Sequence, residues 1–222
     1  MKKLYLAVLG AAITVSMIGA AHMGGWAVVS VDDVPDYIVA GRPVTLTFVV
    51  RQHAVTPRSD LSPAIEATSG ARTIRGMTWA TKTPGGYGAR ITVPTVGEWQ
   101  ITINSGWGRS RGVLLPILAI DSTARAPAPI AAAERGRRLF AAKGCVTCHV
   151  RRDIDVVGEL RDYGPNLSDR KFPADYLAKF LANPAMRPPI YGKGPMPNPQ
   201  LRATEIASLI HYINSDKRIV AR

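Results

Sequence analysis

A chain of 222 residues, 46% hydrophobic and 20% charged, can bury one large core or two small ones and is neither disordered nor fibrous in composition. Its two cysteines exclude a disulfide-stapled scaffold. The net charge of +12 is uneven: residues 1–123 carry 11 basic and 7 acidic side chains, residues 124–222 carry 17 and 9, an excess that favours anionic partners without choosing among them.

Lys2 and Lys3 precede an apolar run from Leu4 to Ala21 that is interrupted only by Thr14 and Ser16. Residues 1–25 therefore read as a signal peptide, with small residues at Gly19-Ala20-Ala21 for cleavage, or as an N-terminal membrane anchor. Both readings stay open. In either, the basic pair holds the N-terminus in the cytoplasm and the remainder is exported, soluble or tethered through residues 4–21. Val113–Ile120 is too short to span a bilayer and contains Pro116.

Residues 26–120 have the grammar of short strands. Candidates are Trp26–Val31, Val44–Gln52, Ala64–Thr68, Thr73–Lys82, Gly88–Val93, Trp99–Asn104 and Gly112–Ile120, separated by turn signals such as Ala40-Gly41-Arg42-Pro43 and Thr83-Pro84-Gly85-Gly86. Seven such strands predict an all-β immunoglobulin-like sandwich. All four tryptophans, Trp26, Trp79, Trp99 and Trp107, fall here and read as core and edge packing. Gly41-x-Pro43-Val44-x-Leu46-x-Phe48 and Gly88-x-x-Ile91-x-Val93-Pro94-x-x-Gly97-x-Trp99 give the region a resemblance to the YtkA-like extracytoplasmic domains. With only His53 and Met77 as soft ligands inside the fold, a copper site lacks its usual donor set, and the module reads as one for docking or spacing.

Residues 121–130 form a Pro/Ala linker, and the pattern turns helical over 131–222. Here stands Cys145-Val146-Thr147-Cys148-His149. Two thiols two residues apart reach two vinyl groups on one porphyrin edge, and the following histidine offers an imidazole to the iron, so the pentapeptide reads as covalent haem attachment. A thioredoxin-like Cys-x-x-Cys lacks its βαβ setting, and a zinc site lacks a second ligand pair.

The surrounding segments resemble a class I cytochrome c. Gly136-Arg137-Arg138-Leu139-Phe140 is similar to that family's first helix and Tyr163-Gly164-Pro165-Asn166-Leu167 to its Gly-Pro-x-Leu segment. Tyr176–Asn183 before Pro184 is similar to the middle helix, Gly194-Pro195-Met196-Pro197 to the distal loop, and Thr204–Ser215 to the last helix. The resemblance implies an all-α cytochrome c fold with one covalent haem c, a Pro165 carbonyl that accepts from His149, and iron held by His149 and Met196. It also implies that the last helix crosses the first at Gly136. Met186 and His211 are competing ligands that lack the Pro-Met-Pro setting or lie toward the surface. Val150–Tyr163 is longer and more charged than a minimal loop.

The expectation is thus an exported electron carrier, not an enzyme, with Cys145, Cys148, His149, Pro165 and Met196 as its cofactor site and redox proteins as partners. Arg137, Arg138, Lys143, Arg151, Arg152, Lys171, Arg187 and Lys193 make this half basic, and some of them would ring the haem edge and steer acidic docking surfaces. No nucleic-acid module and no small-molecule substrate are indicated. An accessory subunit of a larger membrane oxidoreductase, with the sandwich as docking module, is the alternative. A haem enzyme or gas sensor with an open iron position is a third reading.

Overall fold

The computed structural model describes residues 25–155, 163–189 and 194–215. The expected leader or anchor, except Gly25, lies outside these residues, as do 156–162 of the charged loop and Lys193. Among the described residues no helix is long and apolar enough to cross a membrane.

The N-terminal region is a sandwich of two sheets. One runs β1 (Ala27–Val31), β3 (Val44–Gln52), β8 (Gly86–Ile91), β7 (Met77–Ala80), with β4 (Thr56–Pro57) paired to β3. The other runs β2 (Tyr37–Val39), β11 (Ile117–Ile120), β9 (Gly97–Asn104), β5 (Ala64–Ser69), β6 (Arg72–Arg75), with β10 (Arg111–Val113) on β9. Period-two alternation points Trp99, Ile101 and Ile103 of β9 and Leu46, Phe48 and Val50 of β3 into one core between the sheets. Trp99 lies at its centre, with Nε1 donating to the Thr95 carbonyl at 2.9 Å, whereas Trp79 is an edge residue, 39% exposed.

Two expected strands are divided. The run Thr73–Lys82 breaks at Gly76: β6 pairs with β5 in one sheet, β7 with β8 in the other. A Cβ on Gly76 would collide with the Arg90 carbonyl and lie 2.9 Å from the Ile65 and Ile91 side chains, so only glycine lets the chain cross between the sheets here. The run Gly112–Ile120 breaks before Pro116, which has no N–H to give a ladder. Leu114 turns into the sandwich core and Leu115 into the helical one.

Residues 121–129 are exposed, and three helices follow: α1 (Ala132–Ala142), α2 (Ala174–Ala182) and α3 (Ala203–Ile213). Leu139 and Phe140 of α1, Leu177 and Leu181 of α2, and Leu209 and Tyr212 of α3 form their common core. The backbones of α1 and α3 meet at Gly136, where a Cβ would overlap the Ser208 carbonyl and lie 2.7 Å from Tyr212 Cβ. That crossing is the one implied by the resemblance.

The sandwich packs directly on the helices. Ala142 belongs to the sandwich core, and acidic residues between β1 and β2 meet basic residues of α1 and the start of α3: Asp36 with Arg135 at 2.7 Å, Asp33 with Arg202 at 2.6 Å. Solvent-accessible pairs of this kind contribute little. The buried apolar contact and Lys143, described below, hold the seam.

Candidate functional site

Helix α1 ends where its sequence changes character. Gly144 takes a left-handed φ of 76°, its N–H bonds the Ala141 carbonyl at 3.0 Å, and the chain enters a 3-10 turn over Cys145–Thr147. The N–H groups of Cys148 and His149 both donate to the Cys145 carbonyl, at 3.2 and 2.9 Å. This compact turn sets both thiols and the imidazole on the wall of one cavity.

Cys145 and Cys148 are not joined in a disulfide. Burial, with Cys148 beside it, pushes the Cys145 thiol up to about 12, and burial pushes Cys148 up to about 11. A redox Cys-x-x-Cys works through a depressed thiol, and burial acts in the opposite direction here. Among the described residues no cluster of three or more His, Cys, Asp or Glu side chains is arranged to hold a metal ion directly.

His149 is held by the segment after the charged loop. Its Nδ1 lies 3.0 Å from the Pro165 carbonyl oxygen. A carbonyl only accepts, so Nδ1 carries the proton and Nε2 keeps its lone pair. Burial lowers the imidazole pKa, against the smaller opposing effect of the Pro165 bond, and so favours the neutral ligand form. Gly164 is necessary here: its N–H donates to the Cys148 carbonyl at 2.8 Å, and a Cβ would press on the imidazole at 2.6 Å from Nδ1.

The cavity encloses about 520 Å³, within the range of cofactor pockets. Phe140, Leu167, Leu177, Leu181 and Leu209 give it an apolar lining, and Met196 stands on the wall formed by the proline-rich loop 194–200. The Gly194 N–H donates to the Tyr163 hydroxyl at 2.5 Å, tying the start of that loop to the segment that carries Pro165. Met186 is 47% exposed and lies off the cavity wall, and His211 faces solvent on α3. Adjacent thiols, a neutral imidazole, a thioether and apolar walls are a donor set and a volume that fit a covalently attached haem.

Of the eight basic residues among which partner-steering cations were expected, Lys193 lies outside the described residues and the other seven divide. Arg151 is buried: its guanidinium donates to the carbonyls of Leu167, Tyr212 and Ile213, pairs with Asp153 at 3.1 Å, and lies over the Tyr212 ring. Arg137 and Arg138 pair with Glu134, and Lys143 is buried against Glu205 at 2.9 Å. These four are structural, because each satisfies a carbonyl or carboxylate inside the fold. Arg152, Lys171 and Arg187 are exposed, and Arg187 borders the cavity.

The sequence reading missed four cavity residues that come from the sandwich: Val28, Ser30, Arg51 and Ala54. Burial lowers the pKa of Arg51 while nearby Asp32 raises it, and arginine stays charged under either influence. In sequence these positions are ordinary outward residues of strands or a turn, so nothing local marks them.

Residues 133–217 match the family model described as Cytochrome c, so the C-terminal half carries a cytochrome c domain. No curated protein matches the chain. Among solved structures, surface layer protein SbsC, domains 1–6, aligns with 46% of this chain at 12% identity and a TM-score of 0.31. The chain spans 13% of that protein's length.

Proposed function

Given a cytochrome c domain at residues 133–217, we propose that this chain is an exported monohaem electron carrier in which Cys145 and Cys148 bind the porphyrin and His149 and Met196 hold its iron. A cytochrome c domain makes the protein haem-binding and electron-transferring, with redox proteins as partners. Haem bound there supplies an iron that gains and loses one electron.

The observation that carries the finer reading is the His149–Pro165 bond. It fixes the imidazole as a neutral Nε2 donor beside two thiols in a cavity that also holds Met196. Pro165 orients the ligand and raises its basicity. With haem bound, a Met196 thioether ligand would favour the reduced metal, and iron held by both His149 and Met196 would offer no position for a substrate, which supports a carrier over an enzyme or sensor. Two cysteines in one Cys-x-x-Cys-His suffice for one haem.

The same reading assigns residues 1–25 to the signal or anchor, 26–120 to the sandwich, 121–130 to the linker and 131–222 to the haem domain. Partners with acidic faces would meet the exposed cations near the cavity, Arg187 among them.

Intact-mass measurement of the full chain, purified from membranes of a host that matures c-type haems, tests this. The expected result is the added mass of one haem, with an absorption spectrum of six-coordinate low-spin iron. A colourless polypeptide with two freely titrating thiols overturns it.

A further inference from the structure

Val28, Ser30, Arg51 and Ala54 form one strip of the sandwich. Val28 stands opposite Arg51 in the β1–β3 ladder, and Ala54 sits in the tight turn after β3, where His53 and Ala54 take φ values of 51° and 59°. The strip touches both halves of the cavity. On the attachment side, Val28 packs so closely on Gly144 that a Cβ there would collide with it, and the Ser30 hydroxyl donates to the Lys143 carbonyl at 3.1 Å. Lys143 returns the contact: its ammonium donates to the Asp32 carbonyl at 2.9 Å while paired with Glu205.

On the distal side, Arg51 Nη2 donates to Gln200 Oε1 at 2.6 Å. Gln200 ends the loop that carries Met196; its own φ is 55°, and its N–H bonds Asn198 Oδ1 at 2.8 Å. The strip therefore spans the gap between the cysteine turn and the methionine loop. A docking or spacing module on a ten-residue exposed linker needs no such contacts.

We propose that the β-sandwich is a fixed wall of the haem site, and that Arg51 sets the reduction potential by holding a permanent positive charge at the cavity edge. This rests on the haem reading above. Oxidised haem iron carries one more positive charge than reduced iron, so a cation in a partly desolvated wall disfavours oxidation. Arginine does not release its proton, so the effect is the same at acid and neutral pH.

The test compares the full-chain holoprotein with Arg51→Gln, Arg51→Lys and, as a control on the distant strand β6, Arg72→Gln. Arg51→Gln should shift the equilibrium with a fixed redox mediator toward the oxidised form by about tenfold, about 59 mV for one electron, the Coulomb effect of one charge across a cavity of this size at an effective dielectric of about 20. The shift should be constant across pH, Arg51→Lys should retain most of the wild-type potential, and Arg72→Gln should leave it unchanged.

Hydrogen exchange over residues 27–54 should slow on haem attachment, compared with a variant in which both cysteines are alanine. An Arg51→Gln protein with full haem content, an unchanged potential and unchanged exchange overturns the wall while leaving the carrier intact. Absence of haem from every variant overturns both.

Discussion

Gly136→Ala separates two opposing effects by their size. On an exposed helix face the change stabilises by about 1 kcal/mol, because alanine loses less backbone freedom on folding. At Gly136 the added carbon would overlap the Ser208 carbonyl and lie 2.7 Å from Tyr212 Cβ. Neither neighbour can yield cheaply. Ser208 offers backbone, and Tyr212 is fixed by its hydroxyl on Asp153 at 3.0 Å, by Phe140 at 5.6 Å and by Arg151 over its ring at 4.4 Å. Overpacking against such surroundings costs about 3 kcal/mol, which leaves a net loss of about 2 kcal/mol. For a chain of this length that corresponds to a melting midpoint lower by roughly 4–8 °C. Helical circular dichroism reads the loss. Tryptophan fluorescence reads the sandwich, because all four tryptophans lie there. A helical midpoint equal to or above wild type would refute the close crossing of α1 and α3.

Met196→Ala should keep the haem covalently attached but abolish the sulfur-to-iron absorption band and lower the potential, while Met186→Ala changes neither; visible spectroscopy and potentiometry of the two variants decide the ligand. Glu205 gives a dependence on pH. Burial pushes its carboxyl up, but the Arg202 guanidinium and N–H together with Lys143 outweigh this and hold it below the usual range. Its contribution to stability is therefore full above the ordinary carboxylate pKa and is lost as pH falls through the lowered native value. Glu205→Gln should unfold with a flatter acid limb below about pH 4. Denaturant midpoints measured against pH check this, and an acid limb as steep as wild type contradicts it.

What the sequence made legible was chemistry confined to contiguous residues. Cys145 through His149 state a haem-attachment pattern in five positions, whereas the Pro165 carbonyl was expected only from the resemblance of Tyr163–Leu167 to a Gly-Pro-x-Leu segment, and the close approach at Gly164 appears only in the fold. The crossing at Gly136 was expected from the family resemblance, and the overlap a Cβ would make with the Ser208 carbonyl gives its steric reason. The strand errors came from the opposite condition. Thr73–Lys82 has one continuous β-rich composition, yet its two ends belong to different sheets, because Gly76 solves a steric problem set by Arg90, Ile65 and Ile91 far along the chain. Arg151 failed as a surface cation for a related reason: its charge is satisfied by carbonyls from Leu167 and from the end of α3, partners that no local window contains.

The sandwich carries this furthest. Most of its strands were readable from composition and turn signals, though the short β2 and β4 were not; its role was not, because Ser30 and Arg51 are outward polar residues that look like any solvated strand face. They acquire meaning only when Lys143 and Gln200, 113 and 149 residues away, arrive opposite them. An exposed linker of prolines and alanines suggests two independent bodies. The buried Ala142 contact, the Lys143–Glu205 pair beneath the seam and the Arg51–Gln200 bond join them into one site instead. A haem domain that borrows a wall has its potential and its solvent exposure set partly by the neighbouring fold, so changes in the sandwich should be read first in the spectrum and potential of the haem.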